Sequence, residues 1–211
     1  VSKPKRRLYG SYTPAEFARI RSVALADVRA TEARVRRNTQ LLQEYWDGKQ
    51  CSLEGTVFMD GRHCSAGEIL DRLYPSGRLH VRSGYRRPAS SISALLGHPD
   101  VATANALFPN KLEIFSAMVL LVCDRGYNAS TLTSLTVPEL AGEDGEGGRV
   151  LITHLDKPRR RSLRHFTHSH AGPGARSLEL ITSMTDTARS ALQEQGHPTE
   201  QLLIAAAAHS A

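Results

Sequence analysis

Two short clusters of polar side chains have the residue types that could bind or act on a charged ligand. The first joins a carboxylate, a guanidinium, a phenol and an amide: Asp124, Arg125, Tyr127 and Asn128. The second is a run of cations: Lys157, Arg159, Arg160 and Arg161. Arginine forms bidentate contacts with phosphate and with guanine, so the second cluster suits a polyanion. Both clusters need neighbouring elements to hold them at defined positions.

The first cluster lies within the most apolar stretch of the chain, residues 108–135. Pro109 and Asn110 are helix start signals, and Gly126 is the expected C-cap residue. Apolar side chains cover most sides of this helix, which predicts a buried helix: Leu112, Phe115, Met118, Val119, Leu120, Val122 and Cys123. A second helix is predicted from near Ser130, so the cluster forms a bend at the edge of the core. The alternative is a helix-turn-helix corner without chemistry.

Two β-prone segments, residues 149–155 and 162–168, flank the second cluster. Because Pro158 and polar residues separate them, they predict an antiparallel hairpin with Lys157 at or beside its tip. We expect this tip to lie next to the bend that carries Asn128. The alternative is an exposed basic turn that only attracts phosphate.

The composition favours a folded protein with a polyanionic partner. A length of 211 residues suits one large domain or two small ones, and 40% hydrophobic residues suffice for a packed core. The chain has 27 Lys and Arg against 21 Asp and Glu, a net charge of +6, which is typical of many nucleic-acid-binding proteins. The excess of Arg over Lys has an alternative origin, because a GC-rich genome also enriches arginine.

The cysteines and histidines indicate neither a metal site nor a disulfide framework. Three cysteines are an odd and sparse set, which favours a reducing cytoplasm: Cys51, Cys64 and Cys123. No CxxC or HxxxH spacing occurs, and strand alternation separates His165 from His168, so no metal is expected. No nucleotide-binding loop occurs, and no cofactor is expected. Without an apolar signal-peptide core or a membrane-spanning run, we expect a cytoplasmic protein that does not contact membranes.

The first part of the chain supplies a basic arm and a long helix. Residues 1–12 are expected to form a flexible linker arm that either follows phosphate or is a solvated tail: Lys3, Lys5, Arg6 and Arg7. Thr13 and Glu16 form a capping box around Pro14, so a helix is predicted to begin there and to run to Trp46. One face of this helix is basic, and it is either solvated or turned toward DNA: Arg19, Arg21, Arg29, Arg34, Arg36 and Arg37.

Four further segments complete the expected topology. Residues 48–108 are expected to be an irregular insertion with short helices at 66–73, 90–96 and 101–107. Residues 141–148 predict an acidic, glycine-rich turn, and residues 175–195 predict a helix. Near the end of the sequence are three residues typical of a core: Leu202, Leu203 and Ile204. They either pack back on the chain or are covered by a further portion of the domain, and we expect the further portion.

Taken together, these segments resemble the catalytic domain of the tyrosine recombinase (phage integrase) family, in its divergent actinobacterial branch. A basic linker precedes the capped helix SYTPAEFARIRSVA, and a buried helix leads to LLVCDRGYNASTL, which is similar to the family's LLxxTGLRxSEL box. A hairpin with a lysine and a basic tip follows, HLDKPRRRSLRH. The resemblance covers roughly residues 5–205 and rests on these two motifs.

The resemblance implies a transesterification of DNA without a metal. In this family a tyrosine attacks a phosphodiester, two arginines and a histidine hold its oxygens, and a hairpin lysine helps to protonate the leaving 5′ oxygen. Preorganised cations stabilise the negative charge that develops. The lysine corresponds to Lys157, whereas the first arginine position holds Asn128 and the glutamate of the box aligns with Thr131. The second arginine and the nucleophile have no counterpart, because Tyr127 is the last tyrosine and lies in the wrong segment.

We therefore expect an α+β, mostly α protein: a helical domain with a small antiparallel β-hairpin or sheet, in which residues 13–211 are half of a recombinase-like catalytic domain. Its implied function is the DNA-binding part of a site-specific recombinase or integrase of a phage or mobile element. Enzymatic activity stays open, since the nucleophile is absent. Double-stranded DNA is the implied partner. Arg164 is expected to contact DNA together with the cations of the arm and of the hairpin tip. Whether the protein forms a homo-oligomer on DNA is left open. The alternatives are a non-catalytic DNA-binding or structural helper, and a basic helical protein that binds other proteins.

Overall fold

The protein is a mostly helical α+β structure, as the sequence predicts. A computed structural model describes residues 12–49, 55–74, 89–96, 103–143, 149–156, 165–170 and 173–206. The elements in chain order are α1 (Pro14–Trp46), β1 (Thr56–Met59), β2 (Arg62–Ser65), α2 (Ala66–Leu73), α3 (Ala89–Leu96), a 3-10 turn (Thr103–Ala106), α4 (Lys111–Arg125), α5 (Ala129–Thr133), β3 (Glu139–Glu143), β4 (Arg149–Asp156), β5 (His165–His170) and α6 (Pro173–Glu194).

The long helix α1 is the element against which the others pack. Its capping box is formed as predicted: the Thr13 hydroxyl accepts from the Glu16 amide, and the Glu16 carboxylate accepts from the Thr13 amide. The helix contacts α2 near one end and both α4 and α6 along its length. Within the described segments, no helix combines the length and the apolar character that a membrane crossing needs.

Buried side chains form two cores, and α1 and α6 contribute to both. The first core is built on β1, β2, α2 and α3, with Leu41 and Leu42 of α1 and Ala188 and Ala191 of α6. The second core joins α1, α4, α5, β4 and α6, and its fully buried members include Val28, Leu120, Leu121, Leu178, Ile181 and Met184. The bend after α4 belongs to the second core.

Residues 48–108 contain more regular structure than the sequence predicts. The helices expected at 66–73 and 90–96 are present as α2 and α3, whereas the described part of 101–107, residues 103–107, forms a 3-10 turn at Thr103–Ala106. The sequence interpretation missed the hairpin of β1 and β2, which is joined by Asp60 and Gly61. Both residues have positive φ, 54° and 83°. An Asp-Gly pair between β-prone runs is a strong hairpin signal, so the missed information was present.

The second sheet has three antiparallel strands in the order β3-β4-β5. β4 and β5 are the two strands predicted around the cationic run, and they pair from Leu151↔His170 to Asp156↔His165. The prediction of a turn at 141–148 is wrong for residues 141–143, because β3 extends to Glu143 and pairs with β4. A register shift occurs between Leu140 and Gly142, and Gly142 has φ 151°. A bulge with glycine thus lets a glycine-rich segment join the sheet.

The prediction that α4 is buried on nearly all sides is wrong. Its inward face is buried in the second core, through Ile114, Ala117, Leu120 and Leu121. Its outward face is not: Leu112 is 79% exposed, Phe115 61% and Val122 42%. Because α1 and α6 contact α4 from one side only, the described chain leaves a large apolar face uncovered.

The residues that follow α6 pack back on the chain. Leu202 is fully buried in the second core, and its amide donates to the Leu135 carbonyl over 2.9 Å. Leu203 and Ile204 are half-buried, one against each core. For Leu202, the alternative that the residue packs back on the chain is therefore the correct one.

Candidate nucleic-acid interface

The bend between α4 and α5 is shaped by two capping residues. Gly126 ends α4 in the left-handed conformation, with φ 65°, as predicted. Asn128 caps α5: its Oδ1 accepts from the Thr131 amide over 2.9 Å and from the Ser130 hydroxyl over 2.8 Å. The candidate catalytic amide therefore has a structural role, since its oxygen is committed to the cap. The side chain is exposed.

Asp124 is the buried anchor of the bend. Its side chain is 6% exposed, and its Oδ1 accepts from the Nε of Arg21 over 2.5 Å. Its Oδ2 accepts from the Ser177 hydroxyl, also over 2.5 Å. The hydrogen bond and the charge of Asp124 raise the pKa of Arg21. Asp124 thus ties α4 to both α1 and α6, and it is not available to a ligand.

Arg125 differs from its neighbour because its guanidinium is not fully paired. The Nε and Nη2 atoms are buried and have no hydrogen-bond partner in the described parts of the chain. The residue is half-buried and lies in the last turn of α4. A buried donor without a partner costs free energy, which an anion bound at the bend would recover.

Tyr127 is placed as a core residue. It is 8% exposed and packs in the second core. Among the four polar residues of the bend, Asp124 and Tyr127 serve the fold and Asn128 serves a helix cap, whereas Arg125 has two buried guanidinium nitrogens without a partner among the described residues.

The hairpin of β4 and β5 is built on the same core as the bend. Leu151 of β4 is buried in the second core together with Leu132 of α5 and Leu135. Thr153 is also fully buried. The bend and the base of the hairpin therefore share one packed frame, which is what a joint site requires.

The cationic residues themselves lie outside the described residues. This applies to the hairpin connection, with Lys157, Arg159, Arg160, Arg161 and Arg164, and to the arm, with Lys3, Lys5, Arg6 and Arg7. Their predicted roles stay predictions. By sequence order, residues 157–164 join two paired strands, since the last pair of the ladder is Asp156↔His165.

The basic face of α1 is partly neutralised. Arg21 is paired with Asp124, and Arg34 donates to Glu113 over 2.7 Å. Arg36 is 3.7 Å from Glu32, while Arg29 and Arg37 are exposed. Long-range pairs that the sequence does not reveal therefore remove two of the six arginines from the surface that could face DNA.

Metal chemistry finds no support in the part of the chain that is described, where no group of three or more His, Cys, Asp or Glu residues could hold an ion. Cys64 is buried and Cys123 half-buried, and both are free. Burial raises the pKa of both thiols above the usual value. Neither thiol is therefore primed as a thiolate ligand or nucleophile.

Ser177 is the residue that the sequence interpretation missed. It is 53 residues from Asp124 and has no motif around it, so no sequence signal could have found it. Arg125 lies three positions before Asn128, and its Nε and Nη2 atoms are buried without a hydrogen-bond partner among the described residues. No family model, curated protein or solved structure matches this chain.

Proposed function

We propose that this chain binds double-stranded DNA as the N-terminal part of a tyrosine-recombinase-like catalytic domain. The bend after α4 and the hairpin of β4 and β5 form its phosphate-facing side. The observation that carries the proposal is that both elements pack on the second core, with the most basic run of the sequence between the paired strands.

The order of elements supports this proposal. In chain order, the protein has a capped helix (α1), a helix that ends in a left-handed glycine (α4), a short capped helix (α5) and an antiparallel hairpin (β4 and β5), with β1, β2, α2 and α3 between α1 and α4 and with β3 before β4. The resemblance implies this order. It is a statement about topology, and topology alone does not assign chemistry.

Arg125 is the cation that the bend offers to a phosphate. Asn128 stands at the family's first arginine position, but it carries no charge and its Oδ1 caps α5. Arg125 lies three positions earlier and has two unpaired guanidinium nitrogens. A guanidinium binds phosphate through two parallel hydrogen bonds. Arg125 therefore binds the phosphate in place of the family's first arginine, which Asn128 cannot replace.

A non-catalytic DNA-binding helper is the second candidate function. It is favoured by the cap role of Asn128 and by the burial of Tyr127. Both candidates predict DNA binding, and they differ in whether a complementary C-terminal half restores strand cleavage. Complementation by such a half supports the recombinase, and its failure supports the helper.

Salt titration of DNA binding tests the proposal. Fluorescence anisotropy with a labelled duplex should show binding at low salt. The logarithm of the association constant should fall linearly with the logarithm of the salt concentration, with a slope of about −0.9 for each phosphate contact. Several unrelated duplex sequences should bind alike, because phosphate contacts carry little sequence information. Absence of affinity at low salt, or affinity independent of salt, would leave the third interpretation, a basic protein that binds protein partners.

A further inference from the structure

The outward side of α1 and α4 carries an open groove that the DNA proposal does not use. The two helices run antiparallel, held by the Arg34–Glu113 pair and by a 2.9 Å hydrogen bond from the Ser116 hydroxyl to Asp27. A hollow of about 320 Å³ lies between them. Its floor and walls are mainly apolar: Ile20, Val23, Ala24, Phe115 and Val119. A neighbouring hollow of about 310 Å³ continues toward Leu112.

The apolar residues around this groove follow the spacing of a helix-packing seam. On α4, positions 112, 115, 119 and 122 repeat at intervals of three, four and three residues, and all four are apolar. Leu112, Phe115 and Val122 are largely exposed, and Val23 on α1 is 57% exposed. A continuous exposed apolar surface of this kind marks a protein interface. It is unsuited to DNA, whose backbone is charged.

The charges beside the groove are self-complementary. Arg19 and Asp27 are both exposed, and each lies four residues from Val23, on opposite sides of it. The two charges are therefore about 12 Å apart along the helix. When two α1 helices cross antiparallel with Val23 opposite Val23, each Arg19 faces the Asp27 of the other copy. A two-fold axis makes every such pair occur twice.

The same two-fold axis gives complementary packing on α4. Val119 lines the hollow beside Val23, so α4 also crosses its copy near Val119. Phe115 and Val122 lie on opposite sides of Val119 in the sequence. Phe115 of one copy then lies opposite Val122 of the other. Opposite charges and matched apolar residues arranged about one centre fit a second copy of the same face.

We infer that the chain forms a two-fold symmetric dimer through the outward faces of α1 and α4, with Val23 near the axis and Arg19 paired with Asp27 across it. Burial of the apolar seam supplies the affinity, and the charge pairs fix the antiparallel orientation. This inference is independent of DNA binding, so either proposal stands if the other fails.

Sedimentation velocity on the full chain tests the dimer. The unmodified chain should shift with concentration from 23.1 kDa toward twice that mass. Val23→Asp should weaken the dimer by about ten-fold or more, because it places two carboxylates at an apolar centre. The matched control is Leu140→Asp on β3, which is 62% exposed and lies away from the seam, and it should leave the dimer unchanged. A chain that stays monomeric at all concentrations overturns the inference.

Charge reversal tests the orientation without touching the apolar seam. Arg19→Asp alone should weaken the dimer about five-fold, because two pairs of carboxylates then face each other. Asp27→Arg alone should weaken it similarly. The double variant Arg19→Asp/Asp27→Arg should restore the affinity, since the pairs re-form with their signs exchanged. Asp27→Arg also removes the hydrogen bond from Ser116 within each copy, and Ser116→Ala is the control for that loss. If Ser116→Ala leaves the dimer unchanged, a double variant as weak as either single one overturns the antiparallel arrangement.

Discussion

Among the described residues, the ion pairs near α2 are local, whereas the polar contacts of α4 with α1 and α6 join distant parts of the chain. Near α2, Arg72 pairs with Asp60, only 12 residues away. At the bend, Asp124 binds Arg21 across 103 residues and Ser177 across 53. The ion pairs near α2 therefore link neighbouring segments, whereas Asp124 at the bend links α4 to both α1 and α6.

This difference separates a structural region from a candidate site. Hydrogen bonds and ion pairs between distant segments cost chain entropy, and they are formed where a side chain has to be held at an accurate position. At the bend, Asp124 accepts hydrogen bonds from Arg21 and Ser177. Next to it, two guanidinium nitrogens of Arg125 have no partner among the described residues. A rigidly held position beside an unpaired cation is what a phosphate-binding site needs.

Removal of the buried anchor should have the largest effect on stability. Asp124→Ala leaves Arg21 and Ser177 without their shared acceptor and should lower the free energy of unfolding by about 3 kcal/mol. The control Arg62→Ala removes an exposed pair near α2 and should cost less than about 1 kcal/mol. Urea unfolding followed by circular dichroism measures both. Equal losses in the two variants would remove the distinction between the regions.

The hairpin lysine should matter for chemistry more than for binding. In a protein that joins this chain to a nucleophile-bearing C-terminal half, Lys157→Ala should slow strand cleavage by about 100-fold, because a general acid is lost. Arg160→Ala should mainly weaken DNA binding. Suicide DNA substrates and denaturing gels measure cleavage, and this chain alone should give no covalent adduct. Equal loss of cleavage and binding in Lys157→Ala would leave only a phosphate contact.

The first core should respond to alkaline pH through Tyr74. Burial, followed by the hydrogen bond and charge of Glu194, raises the pKa of Tyr74 to about 12. The folded state therefore favours the neutral phenol, so this stabilisation is complete below about pH 10 and is lost as pH rises through the folded pKa. The loss should be at most about 3 kcal/mol, and Tyr74→Phe should abolish this part of the pH dependence of stability. Unfolding measured across this pH range in both proteins checks the sign, and an unchanged pH dependence in Tyr74→Phe contradicts it.

The smallest predicted effect concerns Arg125. Arg125→Ala should weaken DNA binding about five-fold, because one bidentate phosphate contact is lost. It should leave stability unchanged or slightly higher, since a buried group without partners is removed. Arg29→Ala, an exposed arginine of α1, is the control for loss of one charge. If Arg125→Ala destabilises the protein and leaves DNA affinity intact, the guanidinium serves the fold.

The elements with local signals could be predicted from the sequence. Thr13 and Glu16 mark the start of α1, and Asn110 and Gly126 mark the ends of α4. The strands β4 and β5 follow from β-prone runs around Pro158. Each of these signals acts within a few residues, so tertiary packing reinforces it and does not override it.

What depends on packing partners could not be predicted. Periodicity shows that α4 is apolar on most sides, but it cannot show that Phe115 faces solvent while Leu120 is buried. The pairing of β3 with β4 overrides a composition typical of a turn. The pairing of Asp124 with Arg21 depends on chain segments that meet only in the folded protein. The cap that Asn128 forms is local, because its partners are Ser130 and Thr131.

The most direct measurement compares two triple variants that lose the same charge. The hairpin variant has Ala in place of Arg159, Arg160 and Arg161. The control variant has Ala in place of three exposed arginines of α1: Arg29, Arg36 and Arg37. Duplex binding is followed by anisotropy over a range of salt. If the proposal is right, these arginines contact phosphate directly, so the hairpin variant should lose more affinity and its salt slope should fall by about 2 to 3. Equal losses in the two variants would contradict a DNA site at the hairpin and the bend.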